Sequence, residues 1–255
     1  MSTAEQVYSR DRALVLGGLA GLCLLAWLYL FYLGWMMGRM PTTMAEPQLQ
    51  GWTLAEAMLC FVMWAVMMVG MMVPSAAPMV MVFARTCRQR SCQGEPYVPT
   101  GLFVFGYLLI WALFSLLATT AQWGLHVTAQ FSPTMLKSTS PLLGSAILVA
   151  AGVFQWTDLK QRCLRHCRSP LNFLLNEWRD GRQGAVIMGL RHGIFCLGCC
   201  WALMGLLFVT GVMNLLWVAL ISIFVLAEKV LPFARWISGI AGGLLVGWGI
   251  WLLTI

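Results

Sequence analysis

Six stretches of this chain contain no Asp, Glu, Lys or Arg: residues 13–38, 57–84, 96–136, 138–157, 192–227 and 236–255. A helix takes roughly 20 apolar residues to cross hydrocarbon, so each stretch is long enough to do so. The third has room for a helix and a loop, and the fifth for two short helices broken at Thr210-Gly211. Charged residues make up only 10% of the chain, against about 25% in a soluble domain. Such a chain cannot cover its surface with water-loving groups and needs the lipid bilayer as part of its solvent. The reading is all-α: a polytopic transmembrane helical bundle forming one integral membrane domain, 1–255. About seven spans are expected, near 13–37, 54–84, 100–123, 140–156, 185–209, 212–230 and 236–255. The first run follows Arg10 and Arg12, is too long for a signal h-region and lacks a small-x-small site, so it reads as a span.

Pro74 and Pro78 fall inside the second span. Proline removes an amide donor, which predicts a kink or an unwound turn there. With seven spans, one side of the membrane collects Arg10, Arg12, Arg85, Arg88, Arg90, Lys160, Arg162, Arg165, Arg168, Arg179, Arg182 and Arg235, with Lys229 and Arg191 at its edge. The other side keeps Arg39 and Lys137. Cytoplasmic loops accumulate Lys and Arg, so the N-terminus is expected in the cytoplasm and the C-terminus in the periplasm of a bacterial inner membrane. If 185–230 forms a re-entrant hairpin instead, the C-terminus returns inside. The net charge of +7 is thus juxtamembrane, and no nucleic-acid partner is expected. The polar loop 157–184 should hold short amphipathic helices. Thr157 or Asp158 can cap the first, and Ser169-Pro170 can end it.

Nine cysteines stand out in a chain of 255 residues. On a cytoplasmic face structural disulfides are disfavoured, leaving metal binding, redox chemistry or small apolar packing. Cys163 and Cys167 lie at i and i+4, hence on one helix face, with His166 flanking it. In the fifth span His192, Cys196 and Cys200 follow at i, i+4 and i+8, with Cys199 beside them. Brought together, the two groups would complete a thiolate–imidazole site, and soft sulfur ligands select Cu(I) or Zn. Cys87 and Cys92 form a looser pair, and lone Cys23 and Cys60 read as packing residues. The second span adds Met63, Met67 and Met71 on one stripe and Met68 and Met72 on the next. Thioethers suit Cu(I), which makes Met67 and Met71 candidate ligands along a route, although Met is also a common packing residue. Glu56 is expected to reach water, and Lys229 to snorkel from a helix end.

The segments Met63-Trp64…Met67-Met68…Met71-Met72-Val73-Pro74, Phe154-Gln155-Trp156-Thr157-Asp158…Cys163…His166-Cys167 and Gly189…His192-Gly193…Cys196-Leu197-Gly198-Cys199-Cys200-Trp201 resemble a bacterial family of predicted metal-binding integral membrane proteins, an unknown-function domain family. The resemblance covers about 55–225 and implies metal binding at Cys163, Cys167, His192, Cys196, Cys199 and Cys200.

No phosphate loop, dinucleotide glycine motif, HExxH or nucleophile elbow is present, which argues against an enzyme. The expected function is metal handling at the cytoplasmic side, Cu(I) ahead of Zn, in transport or in delivery to a membrane metalloenzyme, with a metallochaperone as the other possible partner. Mercuric-ion uptake is a close variant. The rivals are a membrane thiol-disulfide oxidoreductase, with Cys196 cycling against Cys199 or Cys200, and an assembly factor whose cysteines only pack.

Overall fold

In lipid every backbone amide must be satisfied within its own segment, so apolar runs of this length become helices. The structure, a computed structural model, describes residues 3–37, 39, 52–94, 96–128, 131–132, 137–138 and 141–254. Residues 140 and 255, at the ends of two expected spans, lie outside them. The helices are α1 (Thr3–Met37), α2 (Leu54–Cys92), α3 (Thr100–Val127), α4 (Pro141–Gln155), α5 (Asp158–Arg168), α6 (Pro170–Glu177), α7 (Gly181–Gly205), α8 (Leu207–Thr210), α9 (Leu215–Val230) and α10 (Ala234–Leu252). A two-stranded antiparallel ribbon sets β1 (Phe131–Ser132) against β2 (Lys137–Ser138), a small exception to the all-α expectation.

Four helical segments are long and apolar enough to cross a membrane: Arg12–Met36, Leu54–Cys92, Thr100–Val127 and Gly181–Thr210. A fifth appears if α4 and α5, bent by 62° from one another, count as one broken span. The seven expected spans therefore reduce to four or five by length and composition. At 1.5 Å per residue, the 15 residues of α4 and the 16 of α9 fall short of the roughly 30 Å hydrocarbon thickness. The 19 residues of α10 are diluted by Arg235 and several glycines. The outward faces are apolar, with Leu25, Phe31, Leu117, Ile223 and Ile240 exposed, the surface of a chain that meets lipid.

α2 departs most from expectation, running unbroken through Pro74 and Pro78 and on to Cys92. The carbonyl of Gly70, orphaned because Pro74 has no N–H, takes a thiol hydrogen bond from Cys23 at 3.6 Å. Ser222 donates to the neighbouring Met71 carbonyl at 3.3 Å. The Gly70 acceptor freed by Pro74 is thus met by α1, and no turn of α2 unwinds. At its start Thr53 and Glu56 form a reciprocal capping box, so the Glu56 carboxylate is spent on the helix end.

Two close crossings set the architecture. α7 lies along α3, where a Cβ on Gly189 would stand 2.1 Å from the Phe103 carbonyl oxygen and one on Gly106 2.3 Å from that of Val186. Gly189 and Gly193 form a small-xxx-small pair, the pattern that lets membrane helices touch backbone to backbone. α4 and α10 meet likewise at Gly152 and Gly242. α5 then packs on α7 and on α9. Thr157 caps α5 by accepting from the Lys160 amide at 3.3 Å, and Pro170 opens α6, as the loop sequence predicts.

Candidate metal centre

Helical spacing puts His192, Cys196 and Cys200 on the inward stripe of α7, with Cys199 next to it; all four are buried. α5 brings Cys167, also buried, against them, and its thiol interacts with those of both Cys196 and Cys199. Cys163, one turn earlier and half-buried, rests on Gly198. A Cβ at Gly198 would lie 2.7 Å from its sulfur, so the missing side chain in the Leu197-Gly198-Cys199 run is what admits Cys163. Thiols from α5 and α7 thus share one pocket of the core.

Cys196 is the hub. The Lys229 ammonium, from α9, donates to its sulfur at 3.0 Å and to Ser75 Oγ of α2 at 2.8 Å. Tyr107 Oη, from α3, is 3.2 Å from the same sulfur and donates to the Met72 carbonyl at 3.1 Å. Cys199 and Cys200 turn back on their own helix, each thiol donating to the Cys196 carbonyl at 3.0 Å. Cys200 Sγ also lies 4.0 Å from Met72 Sδ. In this arrangement no three His, Cys, Asp or Glu side chains among the described residues stand close enough together to hold a metal ion. The thiols are gathered, with two of them held by backbone carbonyls.

His192 is 1% exposed, and neither ring nitrogen has a hydrogen-bond partner. Buried polar atoms are nearly always paired. Here the walls are the rings of Phe103, Tyr107 and Phe173, with centroids 5.9, 5.6 and 5.7 Å away. The imidazole therefore keeps its lone pair available, one turn of helix from Cys196.

A second buried network borders the first. Lys160 of α5 donates to Glu228 of α9 at 2.6 and 2.9 Å and to Gln155 of α4, while Ser238 of α10 donates to the same carboxylate. Lys160 and Glu228 are essentially unexposed.

Not every expected residue joins the centre. His166 is exposed, bonded through Nδ1 to the Arg162 carbonyl and stacked on Phe195 at 4.2 Å. Met67 and Met71 are fully buried in the general core, and the thioether beside the thiols belongs to Met72. Cys87 lies with Phe83, Trp178 and Met188 around a small cavity, and Cys92 is exposed. Lys229 does not snorkel; it is 7% exposed and points at sulfur. Tyr107 and Ser75 are neighbours of the thiols that sequence reasoning missed, and Lys229 is one it placed at the membrane surface. A lysine next to a glutamate at the end of an apolar run was the one available signal, since intramembrane charges mark sites by default.

A family model described as copper chaperone matches residues 61–252. No curated protein and no solved structure matches the chain.

Proposed function

The chain belongs to the PpoB2 copper chaperone family, and from that premise we propose that it takes up Cu(I) on the thiols of α5 and α7 and hands it to a membrane metalloprotein. The observation that carries the reading is His192, an unpartnered imidazole sealed in the core beside four buried thiols. The ligand set is Cys167, Cys196, Cys199 and Cys200, with His192 and Met72 as neutral donors and Cys163 at the approach. Sulfur and imidazole favour Cu(I).

The proton inventory suits loading. A thiolate cannot donate a hydrogen bond, so a Cys199 or Cys200 thiol that loses its proton on binding a metal also loses its bond to the Cys196 carbonyl. A side chain so released is free to turn toward Cys167. Burial deepens from half-buried Cys163 through Cys167 to Cys196, a graded series of thiols along which an ion can pass by ligand exchange. The basic residues of α5 and its flanks, by the positive-inside rule, favour loading from the cytoplasm of a bacterial cell.

The test is Cu(I) titration of the full chain in detergent against a chromogenic Cu(I) chelator. Cys196→Ser and Cys167→Ser should lose tight binding, while Cys87→Ser and Cys92→Ser keep it. Equal copper in all four variants would overturn the proposal. A mixed disulfide trapped in Cys196→Ser without copper loss would favour thiol exchange instead.

A further inference from the structure

α1 and α2 run antiparallel, so Cys23 meets Gly70 partway along and Arg12 of α1 comes level with the C-terminal half of α2. Between the two helices lies an open groove of about 390 Å³. Its floor is apolar, made by Leu16 of α1 and by Pro74, Ala77, Pro78, Met81 and Val82 of α2. The α2 residues recur every three or four positions and so form one stripe. Met72, which faces Cys200, lies nearly opposite that stripe at about 100° per residue, so the groove is separate from the thiol centre.

Arg12 and Arg85 line the same groove, at its end away from Gly70. Both are exposed, and among the described residues no hydrogen bond or ion pair engages either. From Pro74 to Arg85 is about three helical turns, roughly 16 Å at 1.5 Å per residue. Half of the roughly 30 Å hydrocarbon layer is about 15 Å. The groove therefore has the depth of one leaflet, apolar along its length and doubly cationic at one end.

We infer that this groove is a binding site for one anionic phospholipid, its phosphate held by Arg12 and Arg85 and an acyl chain laid along the proline-lined floor. Guanidinium forks match phosphate oxygens, and basic pockets between membrane helices bind anionic head groups. Both charges are fixed, so nothing in the match depends on protonation. A zwitterionic lipid offers the same phosphate but brings an ammonium that two arginines repel. A protein helix about 10 Å across would fill on the order of 1,200 Å³ over this length, about three times the groove, and could only lie across its mouth. α1 packs chiefly on α2, so a lipid bridging Arg12 and Arg85 also ties α1 to the bundle.

The experiment is native mass spectrometry of the full chain in detergent, titrated with phosphatidylglycerol or with phosphatidylcholine of the same acyl chains. Wild type should prefer phosphatidylglycerol. Arg12→Gln and Arg85→Gln should each cut its binding about fivefold, and the double variant roughly 25-fold. Arg235→Gln, an exposed arginine outside the groove, should change nothing. Ala77→Leu, which fills the floor and leaves both arginines, should also weaken the lipid. Inorganic phosphate should not compete, because it has no chain to lay in the groove. Equal binding of the two lipids by wild type would leave the groove to a partner helix and overturn the inference. A preference for phosphatidylglycerol that survives in the double variant, or competition by phosphate as effective as by the lipid, overturns it as well. None of these readings involves copper, so the copper proposal stands or falls separately.

Discussion

Replacing Gly189 by Ala tests whether the α3–α7 crossing is what assembles the centre. The added Cβ would stand 2.1 Å from the Phe103 carbonyl oxygen, 3.0 Å from its carbon and 3.1 Å from the Tyr107 nitrogen. All three are backbone atoms, so no side chain can swing away. Bringing the oxygen contact from 2.1 Å to 3.0 Å, below which real Cβ atoms essentially never approach, parts the helices by about 0.9 Å. Overpacking costs about 1–3 kcal/mol, and a backbone obstacle puts Gly189→Ala near the upper figure. The same parting stretches the Tyr107–Cys196 contact from 3.2 Å to about 4 Å at most, the edge of contact for a sulfur partner, so copper affinity should fall with stability. Gly193→Ala meets chiefly the Ile110 side chain, at 2.8 and 2.9 Å, and should be milder. Gly17→Ala meets nothing within 4 Å and should match or exceed wild type, since Gly in a helix interior is worse than Ala by about 1 kcal/mol. Thermal unfolding in detergent, followed by tryptophan fluorescence, ranks the three. A Gly189→Ala variant as stable as Gly17→Ala, binding copper normally, would refute the reasoning.

Other outcomes follow from the same contacts. His192→Phe removes two unpartnered buried nitrogens, each costing about 1–3 kcal/mol, from an aromatic wall; the metal-free protein should be at least as stable as wild type by thermal unfolding, while its copper affinity drops. Met72→Leu should weaken Cu(I) binding in chelator competition where Met67→Leu does not, because it is Met72 that faces Cys200. Glu228→Gln strands the Lys160 ammonium in the core and should destabilise by about 3–5 kcal/mol in denaturant unfolding. Adding Lys160→Met to that variant should recover much of the loss. Thr157→Ala removes the α5 cap and should cost about 1 kcal/mol by the same measurement.

The long apolar helices were legible because charge-free runs in lipid have few other ways to fold, and α1, α3 and α7 match their expected spans closely. The unwound turn allowed for at Pro74 does not form, because the carbonyl that Pro74 orphans is met by Cys23, far away in sequence. The cysteines were legible as two faces because i, i+4 spacing is a property of one helix. Their meeting depends on Gly198, whose absent side chain leaves room for Cys163. Met72 lies one residue from Met71, yet one step around a helix is about 100°, enough to separate a donor that touches the thiols from one that fills the core. Lys229 was misassigned because whether a lysine snorkels or turns inward is decided by partners on other helices, here Ser75 and Cys196.

Consecutive residues of α9 are pinned in different directions, Glu228 by Lys160 and Lys229 by Cys196. A rod held by two bolts at different angles cannot spin. Turning α9 to pull its ammonium off the sulfur would also tear the carboxylate from α5, so rotation is the most expensive way to uncover the thiols. Sliding or tilting α9 together with α5 keeps the Lys160–Glu228 pair closed while opening the other, at the cost of that pair's bonds to Gln155 of α4 and Ser238 of α10. The helix that carries the approach cysteine and the helix that carries the counter-charge are thereby obliged to travel as one piece.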